Sequence, residues 1–68
     1  MIVVHRLGHR ADPLHLNPDL IATVEAHPDT VVTLTTGTRV VVDERPEEVA
    51  AAIFSYRAAI AAAALRAA

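Results

Sequence analysis

Apolar residues follow one period along the first two thirds of this chain and another along the last third. Up to residue 43, short runs rich in Val, Ile, Leu and Thr alternate with Gly, Pro and Asp, which is typical of short β-strands joined by turns. From Pro46 onward, apolar residues recur every three or four positions, as on one face of an α-helix. The pattern predicts one domain, residues 1–68, with a β part at 1–43 and a C-terminal helix at 46–67.

The β part divides into five candidate strands: residues 1–7, 13–16, 20–26, 30–36 and 39–43. Pro18 and Pro28 predict turns between them, because Pro fixes its own φ and holds the preceding residue extended. Thr36-Gly37 predicts a tight hairpin. These segments favour an α+β fold, in which an antiparallel meander sheet of four or five strands carries one C-terminal α-helix packed across a face.

Strict alternation assigns the faces of the third strand. One face is expected to carry Leu20, Ala22, Val24 and Ala26, and the other Thr23, Glu25 and His27. In the next two strands, Val31, Val40 and Val42 are expected to alternate with Val32, Leu34 and Val41. Apolar side chains would then point both ways, and one helix covers only one face of a sheet.

Two stripes run along the predicted helix. Val49, Ile53, Tyr56 and Ile60 form the expected core stripe, and Phe54, Ala58, Ala61 and Leu65 form a second stripe, a candidate surface for an oligomer or partner. Strands of five or six residues span about 17–20 Å, whereas a helix over 46–67 extends about 33 Å. We therefore expect the Ala-rich end of the helix to project beyond the sheet.

An acidic cluster surrounds the expected start of this helix. It consists of Asp43, Glu44, Glu47 and Glu48. Pro46 suits the first helical position, and acids in the first turn complement the helix dipole. Arg45, however, occupies the position where a side chain that accepts a hydrogen bond usually caps a helix. Paired carboxylates can serve acid–base catalysis, but only in a pocket that desolvates one of them. A structural role is the favoured interpretation.

Composition narrows the function classes. The chain has 53% hydrophobic residues and no cysteine, so disulfides and thiolate zinc sites are excluded. Six basic residues stand against eight acids, for a net charge of −2, and this leaves no basic surface for nucleic acid. A 68-residue chain buries only about 60% of the surface that its unfolded form exposes. Self-association would add buried area, and we expect a homo-oligomer.

Neither a signal peptide nor a membrane span is expected. Arg6 and Arg10 interrupt the N-terminal apolar run. The longest apolar segment after them is mostly Ala and lies between Arg57 and Arg66. We therefore expect a cytoplasmic protein with no transmembrane segment.

Four histidines raise the question of a metal site. They are His5, His9, His15 and His27. Zinc requires three or four converging ligands, but Gly8 separates His5 from His9, and the other two fall on different segments. Edge or surface positions are the favoured interpretation, with neither a metal nor a cofactor. Since no catalytic triad or phosphate-binding loop appears either, we expect that the protein is not an enzyme.

Several segments resemble a known family. They are "MIVVHRL" at 1–7, "LNPDLIATVEAHPDTVVTLTTG" at 16–37, "VVVDERPEEV" at 40–49, and Tyr56. Over roughly residues 1–57 the chain is similar to the small FlbD/SwrD family of flagellar proteins. It departs from that family in its tail, which is Ala-rich rather than basic. The resemblance implies a cytoplasmic accessory of the flagellar motor, peripheral at the motor and linked to torque and swarming.

The expected function is therefore a non-enzymatic motor accessory that acts through protein–protein contacts, with a motor or stator component as a candidate partner. Asn17-Pro18-Asp19 has two interpretations: an Asx-type turn that sets the path between strands, or a surface loop that a motor component recognises. Two alternative functions remain open at this stage. They are a small nucleic-acid-binding regulator and a metal- or pH-sensing module.

Overall fold

The computed structural model describes residues 1–9, 11–26 and 28–67. Residue 67 is described by its backbone alone. Its elements in chain order are β1 (Ile2–His5), β2 (Pro13–Leu16), a 3-10 turn (Pro18–Leu20), β3 (Ile21–Ala26), β4 (Thr30–Leu34), β5 (Arg39–Val42) and α1 (Pro46–Ala67). The α+β fold class is confirmed, and α1 has the bounds expected from the sequence.

The five strands lie in two small antiparallel sheets. β1 pairs with β2, and β3, β4 and β5 form a three-stranded sheet in that order. The meander is interrupted between β2 and β3, where the 3-10 turn intervenes. The two sheets meet instead at an antiparallel bridge between Arg6 and Val42. On either side of it, the Leu7 amide donates to the Val41 carbonyl (3.1 Å) and the Asp43 amide donates to the His5 carbonyl (2.8 Å).

A β-bulge changes the faces of β3. Ile21 pairs with Leu34 and Thr23 pairs with Thr33, so Ala22 is an extra residue without a partner position. Ile21 and Val24, three positions apart, both pack against the core as a result. The alternation expected from the sequence was therefore wrong for this strand, since Ala22 and Ala26 are exposed.

The pairing of β4 with β5 also corrects the expected grouping of valines. Val32 pairs with Val40, and Val31 pairs with Val41. Val32, Val40 and Val42 are all buried, whereas Val41 is exposed on the opposite face. Apolar residues do point both ways, but in a different grouping, and only the Val31–Val41 pair belongs to the outer face.

The hairpin loop between β4 and β5 has three residues, 35–37, between the hydrogen-bonded residues Leu34 and Thr38. The Leu34 amide donates to the Thr38 carbonyl (2.8 Å), and the Gly37 amide donates to the Leu34 carbonyl (2.9 Å). Gly37 has a φ of +91°, which L-residues with a side chain rarely adopt. This is the three-residue hairpin loop in which a type I turn is followed by a glycine in the left-handed region.

The core draws on both sheets and on the helix. Its buried apolar members are Ile2, Val4, Leu16, Val32, Val40, Val42 and Val49. Only the first part of α1 contributes. Val49 is fully buried (0% exposed), and Ile53 and Tyr56 are half-buried against the core. Ile60, predicted to continue the core stripe, is 51% exposed, because the sheets end before the helix does.

The start of α1 is fixed by Glu48 rather than by a capping side chain at Arg45. The Glu48 Oε1 atom accepts a hydrogen bond from the Arg45 backbone amide at 3.3 Å. This is the half of a capping box in which the third helical residue reaches back to the cap residue. Glu47 and Glu48 are exposed in the first turn, which agrees with the structural interpretation of these acids.

Candidate interaction surfaces

The Asn17-Pro18-Asp19 segment forms a rigid loop between the two sheets. The Asn17 Oδ1 atom accepts a hydrogen bond from the Asp19 amide at 3.0 Å, and the Asn17 carbonyl accepts one from the Leu20 amide at 3.0 Å. Pro18 is buried, whereas Asp19 and Leu20 are exposed. The Asx-type turn is thus present. It anchors the loop through Pro18 and leaves the next two side chains in solvent.

This loop is also tied to the helix. The Asp19 Oδ1 atom lies 3.3 Å from the Arg57 Nη2 atom, so the loop stands beside the point where α1 leaves the sheets. Arg57 was missed as a site residue in the sequence. Nothing local could have indicated it, because the pairing depends on how the helix crosses the sheets.

The second helical stripe faces away from both sheets. Phe54 and Leu65 are 76% and 79% exposed, and Ala58 and Ala61 between them are exposed too. From residue 57 to residue 66, every side chain is exposed. The expected projection of the Ala-rich end is therefore present, and it displays large apolar side chains to solvent.

A smaller apolar patch lies on the outer face of the sheets. Val41 and Leu7 are exposed side by side, and Val31, opposite Val41 on β4, is half-buried. Val3 on β1 is also exposed. Isolated exposed valines are ordinary on a protein surface, so this patch is a weaker candidate than the helix.

His5 and Glu44 form the most closely bonded polar pair in the described part of the chain. The His5 amide donates to Glu44 Oε1 at 2.8 Å, and His5 Nδ1 lies 2.6 Å from Glu44 Oε2. Burial by itself would raise the pKa of Glu44, but the hydrogen bonds from the His5 ring and from backbone amides outweigh it, and the pKa is lowered. The pair connects β1 to the segment that leads into α1.

The other histidines do not join this pair. His9 and His15 are exposed, and His27 falls outside the described residues. Within the described ranges, no three His, Cys, Asp or Glu side chains come close enough to hold a metal ion. No cavity opens among the same residues either.

The helix Pro46–Arg66 is long and apolar enough to cross a membrane, by length and composition only. The burial pattern sets a limit on this property. Val49 belongs to the core, and Ile53 and Tyr56 pack against it, so the stretch beyond the last packed residue covers 57–66. Ten residues of helix extend about 15 Å, half of the roughly 30 Å hydrocarbon core of a bilayer. The expected absence of a transmembrane segment remains a prediction.

A known protein family matches the part of the chain that contains the loop, both sheets and the beginning of the projecting helix. The family described as "FlbD: Flagellar and Swarming motility proteins" matches residues 1–61 of the 68-residue chain. The chain belongs to the FlbD family. The match extends four residues beyond the resemblance seen in the sequence and ends at Ala61, within the projecting part of the helix. FlbD membership confirms the expected association with flagellar and swarming motility. No curated protein and no solved structure matches the chain.

Proposed function

We propose that this FlbD-family protein is a non-enzymatic accessory of the flagellar motor that supports swarming torque through protein–protein contacts. The observation that carries the proposal is the projecting end of α1. A small domain that holds ten helical residues clear of its own core, with Leu65 among them, resembles a docking module more than a catalyst.

The loop is the favoured contact for a motor or stator component. Pro18 is buried and the Asx hydrogen bond fixes the backbone, so Asp19 and Leu20 are presented in one arrangement. Leu20 is 44% exposed, which gives a partner an apolar anchor beside a carboxylate. A preorganised loop loses less conformational entropy on binding than a mobile one. Such a protein would act in the cytoplasm, peripheral at the motor.

Deletion of the gene tests the role. We expect cells that still assemble filaments but swim with reduced torque and fail to swarm, because the motor is built without its accessory. Torque is measured on tethered cells and by swimming speed in viscous medium. Normal motility of the deletion strain at high viscosity would contradict the motor role.

Complementation with two matched variants tests the loop. Leu20 and Ala26 are both exposed; Leu20 immediately precedes β3, and Ala26 is its last residue. Leu20→Glu should fail to restore torque and should lose retention of a purified motor or stator component in pull-downs. Ala26→Glu should behave as the wild type in both assays. If the two variants behaved alike in both assays, the loop would not be the contact for the motor or stator component.

The described residues favour neither alternative function. His5 is committed to Glu44, and the net charge of −2 works against attraction to nucleic acid.

A further inference from the structure

The second stripe of α1 extends beyond Phe54 toward the start of the helix, as far as Ala51. Ala51, Phe54, Ala58, Ala61 and Leu65 follow one another at spacings of three, four, three and four. All five are exposed, including the two that lie over the sheets. This alternation is the 3.5-residue period of a coiled-coil contact line, and we name these five residues the seam.

We propose that two copies of this chain pair through the seam, with their helices antiparallel. Side-chain size favours this orientation. A twofold axis at Ala58 places Phe54 of each copy beside Ala61 of the other, and Leu65 beside Ala51. Each large side chain then meets a small one, as close packing requires. A parallel pair would place Phe54 on Phe54 and Leu65 on Leu65, with gaps at the alanines between them.

Charge favours the same orientation. The helix carries Glu47 and Glu48 in its first turn and Arg66 in its last turn. In an antiparallel pair, Arg66 of each copy lies near these two acids of the other, and the helix dipoles oppose. Parallel helices would bring acids together at one end and arginines at the other. Arg57 lies off the seam and is paired with Asp19, so no charge interrupts the contact line.

The domain leaves room for this contact. The seam lies opposite Val49, the helix residue buried in the core, so the sheets of both copies would lie on the outer sides of the helix pair. Burial of two phenylalanines, two leucines and the alanines between them amounts to roughly 1,000 Å² in total, at the lower end of specific interfaces. We therefore expect a reversible dimer with dissociation in the micromolar range.

A lipid surface is the main competitor for this apolar face. The net charge of −2 opposes binding to anionic lipid. The projecting segment also has only one arginine near its end, instead of the row of basic residues that interfacial helices carry. The second copy is the better fit, and the experiment below separates the two. It uses the purified full chain, so its outcome does not depend on the motor role.

Sedimentation velocity across the micromolar range tests the dimer with a matched pair of variants. Phe54→Glu places a charge in the seam, and Ile60→Glu places the same charge on the projecting helix outside it. Both positions are exposed, so both variants should fold, which circular dichroism checks. We expect Phe54→Glu to raise the dissociation constant by about tenfold or more, and Ile60→Glu to leave it within about twofold.

Cysteine cross-linking tests the orientation, since the natural chain has no cysteine. An Ala51→Cys chain mixed with a Leu65→Cys chain should give mostly mixed disulfide dimers under mild oxidation, because an antiparallel pair places these positions together. A parallel pair would give dimers of each chain with itself. Mostly self-linked products would overturn the antiparallel orientation.

Two further results would overturn the dimer itself. One is a monomer at every concentration. The other is an equal loss of association in Ile60→Glu and Phe54→Glu, since the contact would then lie outside the seam. A chain that is monomeric in solution and co-sediments with vesicles of mixed neutral and anionic phospholipid, with binding lost in Phe54→Glu, would assign the face to lipid instead.

Discussion

The two halves of α1 share an apolar, alanine-rich composition, but they differ in their contact with the core. The packed half, residues 46–56, and the projecting half, residues 57–66, are both apolar and rich in alanine. Val49 and Ile60 lie on the same side of the helix, yet Val49 is fully buried and Ile60 is half exposed. The difference teaches that periodicity identifies the side of a helix that can be buried. The length of the sheets decides how many residues on that side are actually buried.

The halves also differ in how they are held. In the first turn of the packed half, Glu48 accepts a hydrogen bond from the Arg45 amide. Glu44, two residues before the helix, bonds to His5. In the projecting half, the described tertiary polar contact is the exposed Arg57–Asp19 ion pair at its base. The packed half buries one side on the core and exposes the other, whereas the projecting half is exposed on every side.

The largest expected effect is a loss of stability on substitution in the packed half. Val49→Ala should lower the free energy of unfolding by about 2 kcal/mol, because it removes two buried methyl groups and leaves a cavity. That is a large share of the stability of so small a domain. Urea denaturation monitored by circular dichroism measures it, at a dilution where dimerisation does not contribute.

Ile60→Ala is the matched control for this substitution. It removes more side chain from the same side of the helix, but at an exposed position, so the loss should stay below about 0.5 kcal/mol. If Ile60→Ala destabilised the chain as much as Val49→Ala, the projecting half would be packed in solution and the contrast between the halves would fail.

The sequence predicted the features of this fold that depend on local pattern. The change of period at Pro46 gave the α+β class and the helix bounds, since both depend on local pattern and on Pro chemistry. Asn17 and Pro18 likewise gave the Asx turn, because that turn is closed by neighbouring residues.

Features that depend on pairing between distant segments were not predictable in this way. The bulge at Ala22 shifts the faces of β3, and alternation alone contains no signal for an extra residue. The bridge between Arg6 and Val42 joins the sheets across 36 positions of sequence. Ile60 repeats the spacing of the core stripe, but whether a sheet lies beneath it is a matter of tertiary geometry.

The next largest effect is the pH-dependent stabilisation by Glu44, in the segment before the packed half. Glu44 has a lowered pKa in the folded protein relative to its ordinary value of 4.5. The unfolded chain therefore binds the proton more readily, so the stabilisation by Glu44 is complete above about pH 4.5 and is lost as the pH falls through the folded pKa. Glu44→Gln should cost about 1 kcal/mol at neutral pH, and its difference from wild type should shrink on acidification.

Denaturation midpoints from neutral pH down to acid pH measure this prediction. Glu47→Gln is the control, because its side chain is exposed and lies 3.7 Å from Arg45 Nε in a surface pair. We expect it to change stability by less than about 0.5 kcal/mol at any pH. A difference between Glu44→Gln and wild type that stays constant through the acid range would show that the charge of Glu44 does not stabilise the contact between β1 and the segment before α1.

The smallest effect lies at the boundary between the halves, in the Asp19–Arg57 pair. Both side chains are more than half exposed, at 65% and 58%, so water and salt screen the attraction. A double-mutant cycle with Asp19→Ala and Arg57→Ala should give a coupling energy of about 0.5 kcal/mol or less, which declines further in high salt. Both variants should therefore remain folded, and any loss of motor binding would report on the loop surface itself. A coupling energy well above 1 kcal/mol would mean that the pair also holds the projecting half in place, in addition to the core packing of the packed half.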